Sequence, residues 1–222
     1  MIDAITFIRL RSQRLPYKSI KKLNGVPLCN YALRVMNKVP EIDDIIVYAS
    51  DKRICGYIDG SIRYTFKKRP NFLDSNSATF SDIMDYAVDL INSEYVLYFC
   101  VTSPFMKPET ISEMINKVVN EGYDSAFTVK EIKNFCWFKG MPLNYDLNNV
   151  PFTQDLEPVL VETSGLYIFR KDLYQKTQRR IGFKPYIKRV GIVEGHDIDY
   201  PEDFEIAEYF IKGDLVEGGI VS

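Results

Sequence analysis

Short, almost wholly apolar runs separated by amphipathic helical stretches are the feature that most limits what this chain can fold into. Residues 5–8 (ITFI), 44–49 (DIIVYA), 95–101 (YVLYFCV) and 124–129 (DSAFTV) lack the polar alternation of a strand with one wet face. Strands of that kind must be covered on both sides. A weaker strand is predicted over 62–66. Between the runs, apolar residues recur at helical spacing: Leu28, Tyr31, Ala32, Val35, Met36 and Val39, then Ala78, Met84, Ala87, Val88 and Ile91, then Ile111, Met114, Ile115, Val118 and Val119. Pro27 is expected at the first helical position, where a missing N–H costs nothing. The alternation predicts a mostly parallel sheet with helices on both faces.

In a Rossmann-like α/β fold of this type, ligands bind beyond the carboxyl ends of the strands. The first strand empties there into a loop holding Arg9, Arg11, Arg14 and Lys18, with hydroxyls at Ser12 and Ser19 and a stiffening Pro16. Four cations in ten residues suit an anion of several charges, Arg offering planar forks and Lys a point charge; a solvated basic loop is the plainer alternative. A second cationic loop (Lys67, Lys68, Arg69, Pro70) and the turn Thr102-Ser103-Pro104 are expected on the same edge.

At 222 residues the chain is read as one domain, 1–222. Its net charge of −2 argues against nucleic acid, because no excess of cation exists to neutralise a run of phosphates. No apolar run approaches the roughly 18 residues that span a bilayer. No leader is expected at the start, and Cys29, Cys55, Cys100 and Cys136 lack a Cys-x-x-Cys pair. Free thiols in a reducing cytoplasm are therefore expected. His196 is the only histidine, which excludes a histidine-rich metal site and leaves a hydrolase with one candidate base.

The rhythm breaks at Lys130. Residues 131–157 are irregular and carry Phe135, Trp137, Phe138, Tyr145 and Phe152. A loop that long is expected to pack on something, either a second subunit or its own core. A strand interrupted by Gly165 follows over 159–169, and residues 191–204 read as a strand, a turn and a helix start. Asp197 and Asp199 flank Ile198, so in an extended strand both carboxylates face one point while Ile198 turns to the core. That pair suits Mg²⁺, which takes one or two carboxylates and leaves its other positions to water and phosphate. Acids at a helix start give a structural alternative.

The spacing Arg9-x-x-Ser12 followed by Pro16-x-Lys18 resembles the opening motif of the CTP-dependent cytidylyltransferases that activate acidic sugars, the CMP-sialic acid synthetases and CMP-KDO synthetases. Leu10-Arg11 stands where the sialic acid branch usually has Gly-Gly, and Gln13 where it often has Lys; Arg14-Leu15-Pro16 is nearer the KDO branch. Arg69-Pro70, Leu73 and Ser77-Ala78-Thr79 are similar to the family's nucleotide-side segment. Thr102-Ser103-Pro104, the strand from Gly165 and the closing Asp197-Ile-Asp199-x-Pro201-Glu-Asp203 also match in order.

The resemblance implies in-line attack on the α-phosphorus of CTP with loss of pyrophosphate. It places Arg9, Leu10, Ser12, Arg14, Lys18, Arg69, Ser77, Ala78 and Thr79 on the nucleotide, with Lys18 and Arg9 also catalytic. Asp197 and Asp199 would be catalytic metal ligands for Mg²⁺, with Mn²⁺ able to stand in. Cys100, Thr102, Gln154 and Glu162 would face a small anionic acceptor. The arm over 131–157 would be a dimerisation insertion of a homodimer. Cys100 replaces the usual Gln before Thr-Ser-Pro, the Arg expected near Thr153 for an acceptor carboxylate is missing, and the KDO branch's Gly-Asp-Glu-Pro segment is absent. A phosphonate acceptor therefore stays open beside a sialic acid-like ulosonic acid. A binding module without catalysis would be expected to lack one of the paired acids, and a hydrolase would need an elbow around its nucleophile that the chain does not have.

Overall fold

A computed structural model describes residues 1–213 and Leu215. Seven strands form one sheet: β1 (Ile2–Ile8), β2 (Ile42–Ala49), β3 (Thr65–Lys68), β4 (Tyr95–Phe99), β5 (Ser125–Ile132), β6 (Val159–Arg170) and β7 (Pro185–Arg189), in the order β7-β5-β6-β4-β1-β2-β3. β1, central in the sheet, pairs in parallel with β2 and β4, β2 with β3, and β7 with β5, while β6 runs antiparallel to both its neighbours. The expected mostly parallel sheet is thus present.

One face is filled by α1 (Leu28–Asn37) and α3 (Pro108–Asn120), which bury Leu33, Met36, Ile111 and Met114 against Ala4, Val47, Leu97 and Ile168. The other face carries α2 (Phe80–Ala87) and α4 (Lys171–Thr177), with Met84, Ala87 and Tyr174 packed on Ile5, Val96, Tyr167 and Phe169. Each fully buried Leu, Ile or Phe contributes about 1.5–3 kcal/mol, so two-sided burial outweighs the modest strand propensity of any single run. A third cluster seats α5 (Pro201–Lys212) through Phe204 and Ala207 against Leu15, Leu23, Leu28 and Phe105. The amino end of β1 is fixed by buried Asp3, which accepts hydrogen bonds from the Asn92 and Ser93 amides and the Ser93 hydroxyl.

Several boundaries differ from those predicted. The third strand lies at Thr65–Lys68, not 62–66, because Lys67 and Lys68 extend it beside β2. The second cationic loop therefore shrinks to Arg69. Pro27 closes a short ribbon (Lys22–Leu23 with Val26–Pro27) and serves as the N-cap of α1, not its first residue. The helix predicted over 78–91 begins at Phe80 under a Thr79–Asp82 capping box and ends in a 3₁₀ turn, Val88–Leu90.

At the expected Gly165, the register of β6 on β5 shifts between Glu162 and Tyr167, with Ser164 at φ 60°. A Cβ on Gly165 would collide with the Ser103 side chain, so this glycine lets the Thr102-Ser103-Pro104 turn lie on β6. Residues 191–200 are not a strand. They form a turn and an irregular approach to α5, tied to the sheet edge by the Ile198 amide on the Thr102 carbonyl at 2.9 Å. Neither α4 nor β7 is predicted from the sequence pattern.

The arm keeps residues 131 and 132 in β5, then makes a small hairpin of Trp137–Phe138 with Met141–Pro142. It does not fold back over its own core: Trp137, Phe138, Met141, Leu147, Val150 and Phe152 are all more than half exposed.

Candidate active site

β1 ends at Ile8, and the chain then doubles back. Leu15 is buried, Tyr17 adopts a left-handed conformation at φ 55°, and a 3₁₀ turn over Lys18–Ile20 closes the loop. The buried Ser19 hydroxyl donates to the Arg9 carbonyl at 3.3 Å, tying the loop's two ends. The result brings Arg9, Ser12, Arg14 and Lys18 to one cleft of ≈ 400 Å³, with Phe7, Asn76, Cys100 and Thr102 on its other walls.

Not every residue assigned to the nucleotide enters that cleft. Leu10 lines a second, larger one of ≈ 950 Å³ on the far side of the loop, together with Arg11, Asp51 and Lys68. Ser77 and Ala78 border an open groove beside Phe72 and Asp82, and the Thr79 hydroxyl is spent on the Asp82 amide of its capping box. Arg69 is buried, donating to the Ile8 carbonyl at 3.2 Å and to Asp74 at 2.5 Å. Its guanidinium is a strut between the end of β1 and the following loop, not a free phosphate ligand. Arg9, by contrast, spends only long bonds on that loop, 3.3 Å to the Asp74 carbonyl and 3.5 Å to Asn76 Oδ1.

The acidic side comes from the approach to α5. Ile198 is fully buried, and Asp197 and Asp199 flank it within each other's field although the segment is not a strand. Asp199 is held by Arg14 Nη1 at 2.8 Å and Lys18 Nζ at 2.8 Å, and Lys18 also donates to the Ile198 carbonyl at 2.7 Å. The cations expected on phosphate oxygens thus neutralise an expected metal ligand, since charges this close pair with each other when no ligand intervenes.

Asp197 is different: its Oδ1 is buried without a hydrogen-bond partner. Burial pushes its carboxyl above the ordinary value, and Asp199 and Asp203 add to this, against the lowering effects of Thr102 and Lys18. The adjacent Cys100 thiol, 3.0 Å from Thr102 Oγ1, is raised by burial and by Asp197.

Asp203 organises this segment. Its Oδ2 accepts from the Asp199 amide at 2.9 Å and the Tyr200 amide at 2.8 Å. Burial pushes its carboxyl up, but those backbone donors prevail and the net shift is downward. His196 packs between Phe105 and Phe210 and bonds the Asp203 carbonyl at 2.8 Å, a structural role and not that of a hydrolytic base.

Of the acceptor-side residues, Cys100 and Thr102 line the cleft. Glu162 lies on β6, its Oε2 accepting from Tyr167 Oη at 2.7 Å. Gln154 is exposed on the arm, where its carbonyl accepts from Lys133, and is not among the residues lining the cleft. Sequence reasoning missed Phe7 and Asn76 on the cleft wall. Phe7 reads simply as part of the first apolar strand, and Asn76 carries no signal of its own.

The family model described as Cytidylyltransferase matches residues 4–219. The chain belongs to the cytidylyltransferase family. It is 26% identical over 215 residues to N-acylneuraminate cytidylyltransferase A of Danio rerio, covering 93% of this chain and 50% of that protein. It thus spans about half the length of the fish relatives it matches. It is also 26% identical to the CMP-N,N'-diacetyllegionaminic acid synthase of Legionella pneumophila, covering 95% of this chain and 96% of that one. Among solved structures, a CMP:2-keto-3-deoxy-manno-octonic acid synthetase complexed with CTP shares the fold, with a TM-score of 0.72 at 14% identity over 96% of this chain and 99% of that one.

Proposed function

We propose that this cytidylyltransferase uses CTP to make a CMP-activated acidic sugar of the sialic acid type, an ulosonic acid, releasing pyrophosphate. The observation that carries the reading is a cleft at the carboxyl end of β1 lined by Arg9, Ser12, Arg14 and Lys18, with Asp199 paired to Arg14 and Lys18 and Asp197 within the field of both Asp199 and Lys18. The relatives named for N-acylneuraminate and legionaminic acid support the same class of acceptor.

In this scheme an acceptor hydroxyl oxygen forms a bond to the α-phosphorus of CTP. The bond from that phosphorus to the β-phosphate bridge breaks, pyrophosphate leaves with the electron pair, and the hydroxyl proton passes to solvent water. Arg9, Arg14 and Lys18 bind the β- and γ-phosphates and neutralise the charge that builds on the leaving group. Ser12 orients the chain of phosphates, and the loop's anchored ends keep these groups in place.

The donor set fits Mg²⁺, or Mn²⁺ in its place. A buried carboxylate oxygen with no partner and a second acid beside it are hard oxygen donors, and a cation would offset the burial, and the lesser repulsion from Asp199 and Asp203, that raise Asp197. Among the described residues no group of three or more His, Cys, Asp or Glu is placed to hold an ion, so substrate oxygens and water would complete its shell. When bound, such an ion supplies Lewis-acid polarisation of the α-phosphate and a lower pKa for the attacking hydroxyl.

A phosphonate acceptor is the second reading, favoured by one observation. The position expected to hold an Arg for a carboxylate is Thr153, exposed on the arm. We also propose a cytoplasmic homodimer joined through the arm's exposed apolar residues, since a patch of that kind marks an interface.

The test is pyrophosphate release with CTP and Mg²⁺ against a panel of ulosonic acids and phosphonates, with ATP, GTP and UTP as controls. Release with an ulosonic acid and CTP alone is expected; turnover with UTP as fast as with CTP would refute the assignment. Sedimentation at micromolar concentration is expected at twice the chain mass, and a monomer would refute the arm's role.

A further inference from the structure

The cation missing at Thr153 leaves an acidic acceptor without an obvious partner, yet a guanidinium stands on the same sheet face as the cleft. Arg180, in the loop between α4 and β7, has its guanidinium carbon 3.9 Å from the Tyr167 ring centre and 4.9 Å from that of Phe80. Phe80 in turn packs on Tyr98 at 4.9 Å and on Phe7 at 5.9 Å, and Phe7 lines the cleft beside Arg9. The buried Tyr98 phenol is in the field of both the Cys100 thiol and Arg180: burial raises it well above its ordinary value, Cys100 adds to the shift, and Arg180 opposes it. Cys100 lines the cleft, so Phe80 and Tyr98 both connect Arg180 to residues of the cleft wall.

The hydrogen-bond inventory of this arginine is what points to a ligand. Neighbouring Arg179 spends its donors on the Ile181 and Gly182 carbonyls, and Arg69 is bonded to the Ile8 carbonyl and Asp74. Among the described residues Arg180 donates no hydrogen bond. Its nearest carboxylate oxygen, Glu162 Oε2, is 4.0 Å away and already accepts from Tyr167 Oη. The rings hold the guanidinium by its face through cation–π contact, which leaves the edge and its N–H fork unspent. At 31% side-chain exposure the fork is open to a solute but partly desolvated. A fork that donates no hydrogen bond and has only a 4.0 Å ion pair to Glu162 matches the two oxygens of a planar or tetrahedral anion.

We infer that Arg180 is the acceptor clamp of this chain: its fork takes the acid group of the acceptor, a carboxylate or a phosphonate, in place of the arginine absent at Thr153. The inference rests on the cytidylyltransferase reading and adds the residue that selects an acidic acceptor. Lys is not an equivalent replacement, because it keeps the charge but has neither the fork nor the flat face that Tyr167 and Phe80 hold.

The experiment compares the whole chain with Arg180→Gln and Arg180→Lys. The probes are N-acetylneuraminate, 3-deoxy-manno-octulosonate and 2-aminoethylphosphonate, together with the carboxamide of whichever sugar acid binds best. Affinity is read by saturation-transfer NMR and calorimetry, and CTP affinity is measured in parallel. A charge-assisted, paired contact of this kind predicts that Arg180→Gln weakens the acid about 10- to 100-fold. Arg180→Lys should fall in between, the carboxamide should bind wild type and Arg180→Gln alike, and CTP affinity should not change.

Whether the sugar acids or the phosphonate respond identifies the acid group taken. Should Arg180→Gln fail to fold, the Lys variant must still lose the acid selectively. Equal affinity for the acid in wild type and variant, an equal loss for acid and carboxamide, or no binding of any acid to wild type would overturn the clamp. Absence of CTP binding by wild type would instead overturn the nucleotidyl-transfer reading beneath it.

Discussion

Replacing Asp199 with Asn should change triphosphate binding and turnover in opposite directions, because Asp199 occupies cations that the substrate needs. Its carboxylate is shared by Arg14 and Lys18, both at 2.8 Å, with side-chain exposures of 51% and 13% respectively. CTP entering without metal must pull both cations off Asp199 before they can reach phosphate oxygens. A hydrogen bond to a charged group is worth about 1.5–3 kcal/mol. The exposed Arg14 pair is screened and counts for little, so the competition comes mainly from the better-buried Lys18. The Asn side chain can still accept one bond from it. We therefore expect Asp199→Asn to tighten metal-free CTP binding by about 1–2 kcal/mol, roughly 5- to 30-fold. Pyrophosphate release with Mg²⁺ should fall by about 10²–10³, the usual cost of removing one electrostatic contact made in the transition state. Calorimetry in EDTA and a coupled pyrophosphate assay read the two effects separately. Weaker CTP binding in EDTA would show that Asp199 holds the loop in its binding shape and does not compete with substrate. Full Mg²⁺-dependent turnover would remove it from the metal site.

Two further predictions follow from groups that the cleft does not display. Arg69→Gln leaves Asp74 without its buried partner and should cost roughly 2–3 kcal/mol of stability, less than a fully buried pair because Asp74 is partly exposed; an unchanged melting temperature would show that the strut is not needed. Asp197 has a folded pKa raised above its unfolded value, so in EDTA its contribution is most favourable below about pH 4 and declines as pH rises toward the raised folded value. Asp197→Asn should remove that decline, making the variant more stable than wild type near pH 7 but not at pH 4, as read by thermal melts. A wild type that gains stability over Asp197→Asn as pH rises would reverse the sign and refute the assignment.

What the sequence made legible was what local pattern controls. The two-sided strands, the helix faces of Leu33, Met36, Ile111 and Met114, and the emptying of β1 into a cationic loop all depend on residues near in sequence, and all are found. The thiols of Cys29, Cys55, Cys100 and Cys136 are likewise free. Two misreadings at the site share one cause, the fate of a charge once long-range partners are available. Arg69 reads as a phosphate ligand because the motif around it does, but Asp74 five residues later and the end of β1 claim it. Asp203 reads as an ordinary acid at a helix start. Only the folded chain shows that it also fixes the Asp199 amide.

Arg180 is the reverse case. Nothing near it in sequence marks it. Its setting is made by Tyr167 on β6 and Phe80 at the start of α2. Core residues of this sort have one face toward the interior and one toward whatever lies at the sheet edge. Here the second face holds a guanidinium with no hydrogen-bond partner. The same asymmetry accounts for the division between the two ends of the site. On the proposed reading, the phosphate-binding end is built within one loop of ten residues and can be read as a motif. The proposed acceptor end would be assembled from β4, β6, α2 and the loop before β7, so its chemistry could change through single substitutions that leave every motif in the chain intact.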